Sequence, residues 1–200
     1  MNHERYVTDS SPSPPRRPLL VLGVLLGVSV LGILVGAYGL LRPGTDRIEG
    51  PLSGRRVPSL SLPVVSGPGE GAGDRIDLGA TEGKPLVLDF WASWCAPCRA
   101  SIPVLNALHD EHGDRVRFWG INVEPNRPPA FIREAHRDFG AGFGSLLDER
   151  GDAQAAFGVD AIPTIVVVDG RGVVRWMERG VPSRAELGQR LRSIVGGTER

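Results

Sequence analysis

A mixed α/β layer fold is predicted for residues 57–200, and three observations predict it. An apolar run of strand formers, Pro85-Leu86-Val87-Leu88-Asp89-Phe90-Trp91, is followed directly by Ile102, Leu105 and Leu108 at helical spacing. A second strand-then-helix pattern repeats that order over 115–139. The chain then closes on two β-rich runs around the turn Asp169-Gly170-Arg171-Gly172 and a last amphipathic stretch. The order β-α-β then β-β-α describes one sheet with helices packed against it. About 140 residues is the usual size for one such domain.

Each element has a local reason. Residues 57–65 and 75–78 flank the glycine-rich stretch 67–73 and predict an opening hairpin, an N-terminal extension to the sheet. The run ending at Trp91 starts after Gly83 and reads as a buried central strand. Residues 99–112 read as a helix that Pro103 should kink. Val116, Phe118 and Ile121 mark a second core strand over 115–123. Phe131, Ala135 and Phe139 recur at i, i+4 and i+8 and predict the apolar face of a helix over 128–139. A short strand at 144–147 and a short helix at 149–157 follow. Strands 164–168 and 173–177 form the closing hairpin. Ser183 with Glu186 is a capping box for a helix carrying Leu187, Leu191 and Ile194.

The amino-terminal quarter is different in kind. Residues 1–18 are rich in Pro and Ser with mixed charge, as in a disordered tail. Residues 19–41 contain no charged side chain and only Ser29 and Tyr38 as polar interruptions, enough length to cross a bilayer with some tilt. The run is too long for the core of a cleaved signal peptide, although Val35-Gly36-Ala37 leaves a cleavage site open. An uncleaved signal-anchor helix is the preferred reading. Arg16 and Arg17 precede it, whereas Arg42, Arg47, Arg55 and Arg56 follow it. The basic doublet and the short tail favour an amino end inside and the domain in the extracytoplasmic (periplasmic) space. Residues 42–56 read as a tether. Gly23 with Gly27, and Gly32 with Gly36, have the spacing of a helix-pairing face.

Both cysteines of the chain, Cys95 and Cys98, lie in one Cys-Ala-Pro-Cys run at a strand-to-helix junction. That spacing lets the two sulfurs form and break a disulfide reversibly. A helix amino terminus favours the thiolate through its unpaired N–H groups and dipole. Pro97 suits the first turn, where its missing N–H costs nothing. Thiol–disulfide exchange follows: Cys95 attacks a partner disulfide and Cys98 resolves the mixed disulfide. Asp89 is the odd residue in its strand. Buried beneath the pair, it would have a raised pKa and could exchange the Cys98 proton through water; at a strand edge it would only face solvent. Trp91 reads as core. Trp94, with Ala96, Ile162 and Pro163, reads as a small apolar patch on an exposed rim for docking an extended client chain, and Pro97 is a further candidate client contact.

The segment Asp89-Phe90-Trp91-Ala92-Ser93-Trp94-Cys95-Ala96-Pro97-Cys98-Arg99 resembles the active-site segment of the thioredoxin superfamily. Ile162-Pro163-Thr164 resembles that family's second signature, which implies a cis Pro163 facing the cysteines and a loop that holds substrate through Ile162, Pro163 and Thr164. With Val57-Pro58-Ser59-Leu60-Ser61-Leu62 and Gly83-Lys84-Pro85-Leu86-Val87-Leu88, the chain over 57–196 resembles the membrane-anchored TlpA/ResA/CcmG group. The resemblance implies a thioredoxin-like fold and reduction of protein disulfides outside the cytoplasm, those of apocytochromes c among them, with electrons from a membrane thiol donor. It implies no cofactor beyond the Cys95–Cys98 disulfide. Three departures stand out. Asp89 matches thioredoxin in general, whereas several cytochrome-maturation members lack the acid. Gly120 stands where thioredoxin has a lysine. Glu124 lies about one residue out of register with a glutamate found near the cysteines in ResA-like proteins, and reads either as an acid behind the dithiol or as a solvated loop carboxylate.

The same residues bear on other functional classes. His109 and His112 follow Cys98 on one helix, roughly 16 Å or more down its axis, too far to share a zinc ion with the thiols; both read as solvent-facing. Copper delivery by the two thiolates with His136, and oxidation of folding proteins, remain alternative uses of the dithiol. Lys plus Arg equals Asp plus Glu at 23 each, so no global basic field supports nucleic-acid binding.

Overall fold

The computed structural model describes residues 25–34, 37, 46–47, 51–67 and 74–198. The chain divides into two units, 1–43 and 44–200. In the first, residues 25–34 and 37 are helical, and the side chains of 25–34 are exposed. The rest of the apolar run 19–41, and all of the tail 1–18, lie outside the described residues. No helix among the described residues is long and apolar enough to cross a membrane.

In the second unit the described residues form one sheet from β1 (Asp46–Arg47), β2 (Ser61–Ser66), β3 (Arg75–Asp77), β4 (Leu86–Trp91), β5 (Arg117–Asn122), β6 (Gly144–Leu147), β7 (Thr164–Val168) and β8 (Val174–Arg179). The spatial order is β1-β8-β7-β4-β5-β6-β2-β3. β4, β5 and β6 run parallel, and β7, β8 and β2 are antiparallel to their neighbours. The helices are α1 (Ala96–His112), α2 (Pro129–Asp138), α3 (Asp152–Phe157) and α4 (Arg184–Thr198). The opening hairpin is present as β2 and β3; residues 68–73 of its turn lie outside the described residues.

β4 explains its own sequence. It is flanked by β5 and β7 and covered on both faces, so all six residues are buried and the strand is a nearly unbroken apolar run. Leu86, Leu88 and Phe90 point to the face covered by Phe157 of α3 and by Val57 and Leu78. Val87 points the other way, into a core with Ile102, Leu105 and Leu108 of α1 and Leu187 and Leu191 of α4. Asp89 and Trp91 share the parity of Val87, so they too face the α1 side.

Three expectations are corrected. The predicted tether 42–56 is partly built into the domain. β1 pairs with Glu178 and Arg179, Ser53 and Arg56 bridge to Val174 and Val173, and Leu52 packs on the core. Without these residues β8 would be a bare sheet edge with unpaired N–H and C=O groups. On α2 the buried face is Ile132 and His136, with Phe139 and Ala135 partly buried, whereas Phe131 is 40 % exposed beneath the Arg127 guanidinium. Nor are the helix-end histidines solvent-facing. His112 is buried, and His109 is half-buried with its ring 5.3 Å from that of Phe118, because the end of α1 lies down on the sheet.

Gly144 on β6 marks the tightest approach in the sheet. A Cβ there would lie 2.8 Å from the Ser66 carbonyl oxygen and nearer still to the Trp119 ring. Gly144→Ala is expected to lower stability by about 1–3 kcal/mol, read as a reduced urea midpoint with an unchanged slope.

Candidate active site

β4 delivers the chain through Ala92-Ser93-Trp94 to Cys95, which caps α1. Cys95 and Cys98 are joined in a disulfide with Cα atoms 5.2 Å apart. The Cys98 amide donates to the Cys95 sulfur at 3.1 Å, so the cap hydrogen bond of the helix ends on the attacking atom. Once the bond is reduced, the same amide favours the thiolate, since a hydrogen bond to the charged form stabilises it. Cys98 is fully buried and Cys95 is 3 % exposed. Around them Trp94 is 70 % exposed, and Ala96 and Pro97 are exposed as well, so the predicted rim exists on this side.

The second loop meets the first. Ile162–Pro163 is a cis peptide bond, as the resemblance implied, and half-buried Ile162 packs against the cluster that holds both cysteines. Pro163 is buried, and its carbonyl accepts from Gly180. Thr164 departs from its predicted role. It is fully buried and its hydroxyl donates to the Ala161 carbonyl at 2.7 Å, so it shapes the loop and offers no surface to a client.

The two acids behind the dithiol are opposites. Asp89 is 1 % exposed and neither carboxylate oxygen has a hydrogen-bond partner among the described residues. Burial alone pushes its pKa up to about 7. Its register partner on β5 is Gly120, so no cation stands beside it there. Glu124, by contrast, is saturated. Its carboxylate accepts from the Ser93 amide at 2.6 Å, the Ser93 hydroxyl at 3.0 Å and the Asn122 amide group at 3.2 Å, while Arg127 lies 3.8 Å away. It is a buried clamp on the loop two residues before Cys95, and the solvated-carboxylate alternative does not hold.

Sequence reasoning missed the polar group that fills the space over Gly120. A Cβ there would meet Trp91 Nε1 at 2.9 Å and both His136 Nε2 and Ser145 Oγ at 3.2 Å. Trp91 donates to Ser145 Oγ at 3.0 Å, its ring lies 5.0 Å from that of His136, and His136 Nδ1 is 3.1 Å from Ser66 Oγ. Burial lowers the His136 pKa to about 4, so the ring is neutral at pH 7. It is a buried packing residue beside Trp91. The glycine at 120, in a strand otherwise built of large residues, was the available signal.

Comparison with known proteins agrees with this geometry. The model of the AhpC/TSA family matches residues 53–177. The thiol:disulfide interchange protein DsbE of Xylella fastidiosa (strain Temecula1) is 32 % identical over 92 % of this chain and 91 % of its own length. The thioredoxin-like protein YneN of Bacillus subtilis (strain 168) is 28 % identical over 84 % of this chain and 95 % of its own. Among solved structures, MTB DsbF in its mixed oxidised and reduced forms superposes with a TM-score of 0.58 at 28 % identity, covering 68 % of this chain and 95 % of that one.

Two outcomes follow from the acids. The folded pKa of Asp89, about 7, lies above the ordinary 3.8, so the folded oxidised protein holds a proton that the unfolded chain releases between those values. Stability attributable to Asp89 is therefore highest at low pH and falls as pH rises through that window. Asp89→Asn should be more stable than the parent at pH 8, on the order of 2–4 kcal/mol, with the gap closing by pH 4; urea denaturation at both pH values measures it, and parallel pH profiles would contradict it. Glu124→Ala, which strands the Ser93 amide, should cost about 1–3 kcal/mol in thermal or urea unfolding, with Glu124→Gln falling between.

Proposed function

The chain belongs to the AhpC/TSA family and is a thioredoxin-like thiol–disulfide oxidoreductase; on that footing we propose that it works as a membrane-anchored, extracytoplasmic reductant of protein disulfides. The placement of Cys95 at the cap of α1, with Cys98 one turn in and buried, carries this reading. The Cys95 thiolate attacks one sulfur of a client disulfide, and the other client sulfur leaves as a thiolate that takes up a proton. Cys98 then loses its proton and attacks Cys95 Sγ. The client departs with two thiols and the enzyme keeps the disulfide, so two electrons have moved from enzyme to client. Asp89, on the same face of β4 as α1 and with its pKa near neutrality, is suited to accept the Cys98 proton at that step. Glu124 holds the Ser93 loop, and half-buried Ile162, on the loop that the cis Pro163 shapes, receives the client chain together with the Trp94 rim.

The uncharged run 19–41 supports the anchor, and the basic pair Arg16-Arg17 supports an extracytoplasmic domain. Resemblance to the TlpA/ResA/CcmG group supports apocytochrome c disulfides as clients and a membrane thiol protein as electron donor. Reduction is favoured over oxidation on that same resemblance.

Insulin reduction by the purified chain should be abolished by Cys95→Ser, whereas Cys98→Ser should accumulate a mixed disulfide that reducing agent releases. The midpoint potential decides direction: a value near roughly −270 mV supports a reductant, and one near roughly −120 mV would make the protein an oxidant instead. Labelling of Cys95 by a membrane-impermeant thiol reagent in intact cells would place the domain outside; protection until lysis would overturn that placement.

A further inference from the structure

The sheet has a second pole, away from the dithiol. β7 runs antiparallel to β4, with Thr164 opposite Phe90 at one end and Val168 opposite Leu86 at the other. The dithiol and Pro163 lie at the first end, so the β7–β8 turn, Asp169 to Gly172, lies at the opposite pole. A cavity of about 350 Å³ opens there between that turn and α4, lined by Arg171, Arg175, Trp176, Arg190, Ser193 and Asp169.

We propose that this cavity is a binding site for a phosphate-type oxyanion, independent of the dithiol. Three arginines, from the β7–β8 turn, β8 and α4, line it in a chain whose charges balance overall. The one carboxylate lining it is already committed. Asp169 Oδ1 accepts from the amides of Arg171 and Val173 at 2.9 and 3.0 Å, and Oδ2 accepts from Arg175 Nε at 2.6 Å. That last bond fixes the Arg175 fork and leaves its two terminal nitrogens without a partner among the described residues. Arg171 has no ion pair among those residues, and Arg190 has only a 3.8 Å contact with Glu186 on its own exposed helix face. Trp176 adds an indole N–H that is buried with no acceptor among the described residues. Arg55 and Arg56, on the segment bridged to the start of β8, bring two more cations to the same pole; Arg56 Nη1 lies 3.8 Å from the point where a Gly172 Cβ would be.

Arginines brought to one cavity by a turn, a strand and a helix suit a tetrahedral anion with several oxygens better than a single carboxylate. The cavity exceeds a bare phosphate and falls in the range of small-ligand sites, so the fitting ligand is a phosphate ester. A lipid headgroup and a soluble phosphoester share that chemistry.

The test is calorimetric titration of the full chain in a neutral detergent at low salt, with two probes run separately: inorganic phosphate and dihexanoyl phosphatidylglycerol. Saturable binding of either, weakened about tenfold by Arg171→Ala and again by Arg190→Ala and weakened by added salt, supports the site. Binding of the lipid probe alone assigns the ligand to a headgroup; binding of phosphate as well assigns it to a soluble anion. Insulin reduction by both variants should equal that of the parent, which also shows that they fold. Should either variant fold poorly, Arg171→Gln in the exposed turn serves in its place. No saturable binding of either probe, or binding that the substitutions leave unchanged, would overturn the proposal.

Discussion

β4 holds the site in place because it has no free side. Hydrogen-bonded to β5 and β7 along its length and covered on both faces, it can neither slip in register nor tilt without exposing six buried residues. Its last residue, Trp91, is locked again by Ser145 and by packing on His136 and Phe139. From that fixed point only three residues separate the strand from Cys95. The attacking sulfur therefore sits where the sheet places it, and the helix supplies the amide that favours its charge. Glu124 closes the last degree of freedom by holding Ser93 from the end of the neighbouring strand.

The two carboxylates show how one fold gives the same chemical group opposite jobs. Glu124 is surrounded by donors, so its charge is stabilised and its work is mechanical. Asp89 is buried with no donor to either oxygen among the described residues, so its charge is costly and its proton is held until near neutral pH. The absence of a side chain at Gly120 matters to that contrast. A cation there would favour the Asp89 carboxylate; instead the space holds the neutral Trp91, Ser145 and His136 group.

The domain is also polarised along its strands. One end carries the disulfide, the exposed Trp94 and the cis-proline loop. The other carries the arginine cluster around the β7–β8 turn, and the chain from Pro51 to Val57 runs beside β8 towards it. Covering the β8 edge and bringing Arg55 and Arg56 to that turn are one structural act. Residues 51–56 thus belong to the domain.

Strand and helix identity were legible in the sequence because each element carries its own period: β7 coincides with 164–168, and β4, α1 and β6 fall where alternation, apolar runs and helical spacing put them. The Cys-Ala-Pro-Cys run fixed the chemistry for the same local reason, since both sulfurs and the helix cap lie within four residues. What no local pattern could mark was decided by contacts between distant segments. Glu124 became a clamp only because β5 ends beside the Ser93 loop, and residues 46–47, Ser53 and Arg56 joined the sheet only because β8 had an unpaired edge. His136 went inside because Gly120 left room for it. Thr164 turned away from the client surface because its hydroxyl found the Ala161 carbonyl. Periodicity is a property of neighbours along the chain; burial and pairing are properties of neighbours in space, and only the folded sheet creates those.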